Sequence, residues 1–244
     1  YFPWDRDDAV AQKVTEIEGC DRYRAPFILE GGSIHVDGQG TVITTEECLL
    51  NPNRNPGLGR AQIETQLKRY LNVETVVWLG KGVLHDETDG HVDNLCAYVR
   101  PAEVVLTWTN DRNDPQYEIS RDAYERLRDA RDARGRRFKV HKLRQPGPLH
   151  MTTEEAAGVD VAEGTQPRAA GGRMAASYVN FYIGNRRIVA PLLDARRDRD
   201  ALRKLQDLFP KREVVGVPGR ELLLGGGNVH CVTQQVPLAR DRRR

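Results

Sequence analysis

Apolar residues along the chain alternate in short bursts and then switch to the three-to-four spacing of a helix. Ile63, Leu67, Tyr70 and Leu71 mark a helix over 60–71, followed by a strand-like run at 73–79. Ile119, Tyr124 and Leu127 share one stripe of a second helix over 117–133, and a strand is expected at 138–143. Leu202, Leu205, Leu208 and Phe209 define a third helix over 199–209, and the turn Lys211-Arg212-Glu213 leads from it into a strand at 214–217. Strand-like segments precede each helix. They are 28–36, then His91 through 97–99 to 104–108, then 178–183 across Gly184-Asn185 to 188–192. Hairpin, helix and strand are therefore expected as one unit seen complete three times. Residues 7–18 read as the helix of an earlier unit, opened by a capping Asp5 or Asp7. Residues 225–236 open a last unit that has no helix of its own.

An internal repeat supports that division. Ile28-Leu29-Glu30-Gly31-Gly32-Ser33-Ile34-His35-Val36 resembles Leu223-Leu224-Gly225-Gly226-Gly227-Asn228-Val229-His230-Cys231-Val232 in its apolar approach, adjacent glycines, small polar residue, aliphatic and histidine. Repeated units bury their apolar faces against neighbours, so an α/β array or closed ring is expected within one domain spanning 1–244. In a closed ring the last hairpin would complete the first unit, whose start would lie upstream of Tyr1. The Gly- and Ala-rich run 158–172 reads as a long loop.

Composition narrows the class of function. At 244 residues, 39% hydrophobic and 30% charged, the chain has the make-up of a globular domain. It contains no run of about 18 apolar residues that would suggest a membrane span. The first residues lack the basic-then-apolar order of a signal peptide. Net charge is +2, which makes no case for nucleic acid or an anionic membrane as partner. Arginines do cluster, at 134–137, 186–187, 196–197 and 240–244, but acidic neighbours mark most of these as solvated surface. The cysteines at 20, 48, 96 and 231 show neither paired nor zinc-ribbon spacing, so a reducing, cytoplasmic setting is expected.

Three places could carry chemistry. Cys231 follows three glycines, which allow a ligand close to the backbone; on a strand there it could be an exposed nucleophile or a small buried hydrophobe. In Asp86-Glu87-Thr88-Asp89-Gly90-His91-Val92-Asp93-Asn94, strand alternation would put His91 and Asp93 on one face. That pairing suits proton transfer, and equally a structural hydrogen bond; no third ligand at metal-site spacing accompanies it. Glu30 stands at an apolar strand end before paired glycines, either as a functional carboxylate or as a solvated terminus.

Taken in order, YFPWDRDD, RYRAPFILEGGSIHVDGQGTVITTEECLLNPNRNP, DETDGHVDNLCAYVRP, TNDRNDPQYEISRDA, AAGVDVAEGTQPR, AASYVNFYI and LLLGGGNVHCVTQQ resemble the agmatine deiminases, over Tyr1 to about Pro237. The resemblance implies the pseudo-fivefold α/β propeller (pentein) of the guanidine-modifying enzymes. It implies hydrolysis of agmatine to N-carbamoylputrescine and ammonia, a step of polyamine synthesis, without metal or organic cofactor. Cys231 matches the nucleophile, His91 the general acid/base, Asp93 a carboxylate that holds the guanidinium, and Glu30 the acid supporting the histidine. Glu87 and Asp89 fall where the distal amine would be recognised. Gly226, Gly227 and Asn228 fall where the backbone would meet substrate. Self-association into a homo-oligomer is compatible with such an enzyme. The family also carries a second guanidinium-binding aspartate, in Arg-Asp-x-Gly-Pro, upstream of the YFPW segment; no such motif occurs here, since Asp5-Arg6-Asp7 lacks the Gly-Pro. Little or no activity is therefore expected of these 244 residues by themselves. A deiminase of arginine or peptidylarginine, and a non-catalytic propeller-type binding module, are the competing expectations.

Overall fold

The computed structural model describes residues 5–158 and 168–237. Two short helices, α1 (Asp5–Asp8) and α2 (Val10–Ile17), come first. The expected single helix is thus broken, and neither aspartate caps it: Ala9 stands at the N-cap of α2 with no side-chain bond. The chain then builds three sheets in succession. The first contains β1 (Ile34–Val36), β2 (Thr41–Thr45) and β3 (Thr75–Leu79), with α3 (Glu46–Leu49) and α4 (Arg60–Leu71) between β2 and β3. The second contains β4 (Cys96–Arg100), β5 (Glu103–Trp108) and β6 (Lys139–Arg144), with α5 (Gln116–Asp129) before β6. In the third are β7 (Tyr182–Ile183), β8 (Arg187–Leu192) and β9 (Glu213–Pro218), with α7 (Asp198–Leu208) before β9; α6 (Thr153–Ala157) lies in the connection from the second sheet, and α8 (Arg220–Leu224) follows the third. Every sheet has an antiparallel hairpin followed by a parallel strand. This is the expected unit, a blade of an α/β propeller.

Packing explains the pattern of the strands. In β4, Cys96 and Tyr98 enter the core shared with the first sheet, while Ala97 and Val99 enter the core shared with the third. Val104 and Leu106 of β5 likewise face one way and Val105 the other. β4 and β5 are buried on both faces, which is why these two strands of the middle blade read as near-continuous apolar runs. Leu127 of α5 and Leu205 of α7 close these two cores, both fully buried. Side-chain links tie the blades as well: Arg100 Nη2 donates to the Leu208 carbonyl at 2.6 Å, and Arg136 Nη2 to Gln39 Oε1 at 2.8 Å.

Two expected strands are not strands. His91 is the N-cap (φ −51°, ψ 140°) of a 3-10 turn, Val92–Asn94, and pairing starts only at Cys96. Cys231 lies in a turn beyond α8. The glycines explain the second difference: Gly226, at φ +89°, turns the chain where an L-residue would be strained. The first residues of the YFPW segment, most of the loop expected over 158–172, and the terminal arginines from Arg240 lie outside the described residues.

Candidate active site

Each residue brought to the site sits just upstream of a hairpin or of the segment that stands in for one. Glu30 is the N-cap of a 3-10 turn, Gly31–Ser33, that enters β1. His91 and Asp93 belong to the turn entering β4, where fully buried Val92 and Leu95 pin the segment to the core. Asn180 precedes β7, and Cys231 follows the glycines after α8. Glu30, His91, Asp93 and Cys231 line one cavity of about 480 Å³, together with Gly31, Gly32, Gly226 and Gly227. Gly32 permits the approach: a Cβ there would fall 2.5 Å from His91 Nδ1 and 2.7 Å from Asp93 Oδ2.

Asp93 organises the interior. It is 1% exposed, and its Oδ2 accepts from His230 Nδ1 at 2.9 Å and from the Cys231 thiol at 3.3 Å. Its Oδ1 is buried and has no partner among the described residues. Asn180 clamps the cysteine, with Nδ2 donating to Sγ at 3.2 Å and Oδ1 accepting from the His230 amide at 2.9 Å. The Cys231 residue is open to solvent, but its sulfur packs close to Gly227. Burial first, and then the Asp93 charge, push its thiol up to about 12.

Glu30 is held from outside the cavity. Burial acts to raise its carboxyl, but hydrogen bonds from His91 and Arg54 outweigh it and bring the group down to about 2. Arg54, its side chain only 8% exposed, donates from Nε to both Glu30 oxygens at 2.9 Å and from Nη2 to Oε1 at 2.7 Å. Arg54 also bonds the Thr88 carbonyl and Asp89 Oδ2, so one guanidinium fixes both Glu30 and the loop that leads to His91. His91 Nε2 meets Glu30 Oε1 at 3.3 Å, which leaves Nδ1, beside Gly32, as the ring's other nitrogen.

Asp89 and Glu87, expected near a distal amine, do not line this cavity. Asp89 is taken up by Arg54 and Asn53. Glu87 lines the neighbouring cavity, behind Gly226, and accepts from Arg168 at 2.6 Å. Asn228 is buried, and its amide donates to the Gly219 carbonyl, holding the turn together. Reasoning from sequence missed Asn180, Arg54, His230 and the lining carboxylate Glu221. The repeat pairing His35 with His230 was the available signal for one of them, and those two rings do stack, with centroids 6.0 Å apart.

Among the described residues one cluster has ligand atoms close enough for a metal ion: Glu30, Cys48 and His91, all within 4.8 Å of one another. Arg54 already gives Glu30 a cation, and burial pushes the Cys48 thiol up to about 12. The donor set therefore fits a proton-handling pair backed by a buried thiol better than a divalent ion.

The family model for the Porphyromonas-type peptidyl-arginine deiminases matches residues 1–237. The chain belongs to that family. It is 59% identical over 238 residues to an agmatine deiminase of Ectopseudomonas mendocina, covering 97% of this chain and 65% of that protein. An agmatine deiminase of Pseudomonas aeruginosa is also 59% identical, over 241 residues, covering 98% of this chain and 66% of the relative. Among solved structures, the Enterococcus faecalis agmatine deiminase superposes with a TM-score of 0.93 at 50% identity, over 97% of this chain and 65% of the other. The chain thus spans just under two-thirds of the length of each of these family members. Its three blades are those of the α/β propeller of the deiminases, as the resemblance implied.

Proposed function

We propose that the protein is an agmatine deiminase, acting as a single catalytic domain, and that Cys231, His91, Asp93 and Glu30 are its catalytic set. The observation that carries this reading is the convergence of those four residues on one cavity. Carboxylates converging on one cavity suit a planar cation with paired N–H groups. Glu30, Asp93 and Glu221 line the cavity, and among its described lining residues there is no lysine or arginine. Such a site favours a ligand with a guanidinium and an amine over one with an α-carboxylate. That preference, with the relatives' names, sets agmatine ahead of arginine and peptidylarginine.

The chemistry follows from the electrostatics. In the empty site the Cys231 thiol keeps its proton, since burial and Asp93 oppose the thiolate. A bound guanidinium offsets the Asp93 charge and places positive charge beside the sulfur, so substrate itself promotes ionisation. Sγ then adds to the guanidinium carbon, and the displaced C=N pair moves onto nitrogen. His91 protonates the departing nitrogen, ammonia leaves, and a thiouronium remains on Cys231. Glu30 steadies the imidazolium at Nε2, leaving Nδ1 for the transfer. Water that has lost its proton to His91 adds to the carbon; the C–S bond breaks as the new hydroxyl gives up its proton to become the carbonyl, returning the thiolate and releasing N-carbamoylputrescine.

Expressed from its complete reading frame, the protein should release ammonia from agmatine and not from arginine, and Cys231→Ala should abolish it. Turnover of arginine in preference to agmatine, or full activity in Cys231→Ala, would refute the reading.

A further inference from the structure

The proposed reaction leaves His230 without a task, although it precedes the nucleophile and is 9% exposed. Its backbone amide is fixed by Asn180 Oδ1, and Thr233 donates to its carbonyl from both N and Oγ1. Its ring stacks on His35, whose Nδ1 accepts from the Tyr98 amide at 3.3 Å. His35 stays neutral near pH 7, so the ring beside His230 adds no positive charge; burial first and His230 second push it down to about 4. Held on these sides, His230 presents Nδ1 to Asp93, at 2.9 Å.

Asp93 has two oxygens and, among the described residues, all of its donors are on one of them. His230 Nδ1 and the Cys231 thiol both reach Oδ2, while Oδ1 has no partner. A carboxylate free to rotate would share its donors between the two oxygens. The His230 bond stops that rotation and keeps Oδ2 at the Cys231 sulfur.

We infer that His230 is a positioning residue: its Nδ1–H locks the Asp93 carboxylate with Oδ2 beside the Cys231 sulfur, so that the carboxylate selects a planar cation there. The inference rests on the deiminase reading for its substrate, though not for its geometry. An asparagine at 230 can place its Nδ2–H near the position of Nδ1, whereas a glutamine places its amide further out, near Nε2.

The test compares Cys231 alkylation by 2-chloroacetamidine, a planar cation, with alkylation by neutral iodoacetamide, using protein from the complete reading frame. The wild type should react with the cation preferentially. His230→Leu should slow the cationic reagent by roughly ten- to a hundredfold, the effect of one charge-assisted hydrogen bond, and leave iodoacetamide within about twofold. His230→Asn should recover most of the cationic rate, and His230→Gln should not. A merely structural role would slow both reagents together, or give Gln and Asn alike; either result overturns the inference, as does a wild type that does not prefer the cation. Absence of agmatine turnover in a wild type that still shows the Asn-specific recovery would defeat the deiminase reading and leave the role of His230 standing.

Discussion

At the scale of single residues, the site sets charge against burial. Asp93 holds the Cys231 thiol protonated, so Asp93→Asn should make Cys231 react several-fold faster with iodoacetamide at pH 8, because one cause of the raised thiol is gone while burial remains. The same change should remove any preference for a cationic reagent, and peptide mapping of alkylated Cys231 reads both effects. Slower reaction with iodoacetamide would show that the carboxylate activates the thiol rather than suppressing it. His35 permits a separate test. Its folded value, about 4, lies below the ordinary 6.5, so the unfolded chain binds the extra proton between those limits. Stability should be complete above about pH 6.5 and fall as pH drops toward 4, by at most about 3 kcal/mol from this group. His35→Asn keeps an acceptor for the Tyr98 amide and cannot titrate, so thermal melts of this variant at pH 4.5, 5.5 and 7 should vary less with pH than those of the wild type. Equal dependence in both would assign the acid sensitivity to other groups.

At the scale of elements, much of the fold was legible, because helix stripes and strand runs reflect burial directly. The helix at 60–71 matches α4, those at 117–133 and 199–209 differ from α5 and α7 only at their ends, and the one expected over 7–18 is broken in two. Active-site turns were harder to read. The alternation of His91, Val92 and Asp93 correctly separated two cavity-lining residues from a core anchor, yet the backbone there is a 3-10 turn. Apolar anchoring sets which side chain goes inward, and it does so whether the main chain is extended or turned. Arg54 was illegible because its importance lies in partners 24 to 35 residues away, which no local pattern encodes. Gly32 shows how a turn and a site depend on each other. Gly32→Ala would drive a methyl group against His91 Nδ1 and Asp93 Oδ2. The proposed proton-transfer atom and the cation-binding carboxylate would both shift, so kcat/KM for agmatine should fall by about a hundredfold or more. Circular dichroism should remain that of the wild type. Near-normal activity would mean that the entry to β1 can yield without disturbing the site.

For the whole molecule, the decisive fact is that no single blade holds a site. Glu30 enters with the first sheet, His91 and Asp93 with the second, Asn180 with the third, and Cys231 after it. The repeat makes such convergence natural, because equivalent positions of every unit point toward the same end of the array. Selective reaction of Cys231 with a cation therefore requires the blades to be docked. Cys48 is fully buried in the core of the first blade and Cys96 in the core between the first and second, so both thiols report on docking. Leu205 closes the core between the second and third sheets, and Leu205→Ala should cost about 2–5 kcal/mol. Under increasing urea, loss of cation-selective labelling and exposure of Cys48 and Cys96 should share one midpoint, and Leu205→Ala should move all of them to lower urea together. The coupling is physical: β4 and β5 give alternate side chains to the two cores, so loosening one removes support from the other. If Leu205→Ala lost labelling at low urea while Cys48 and Cys96 stayed protected, the third blade would open by itself, and the middle sheet would be a hinge rather than a shared wall.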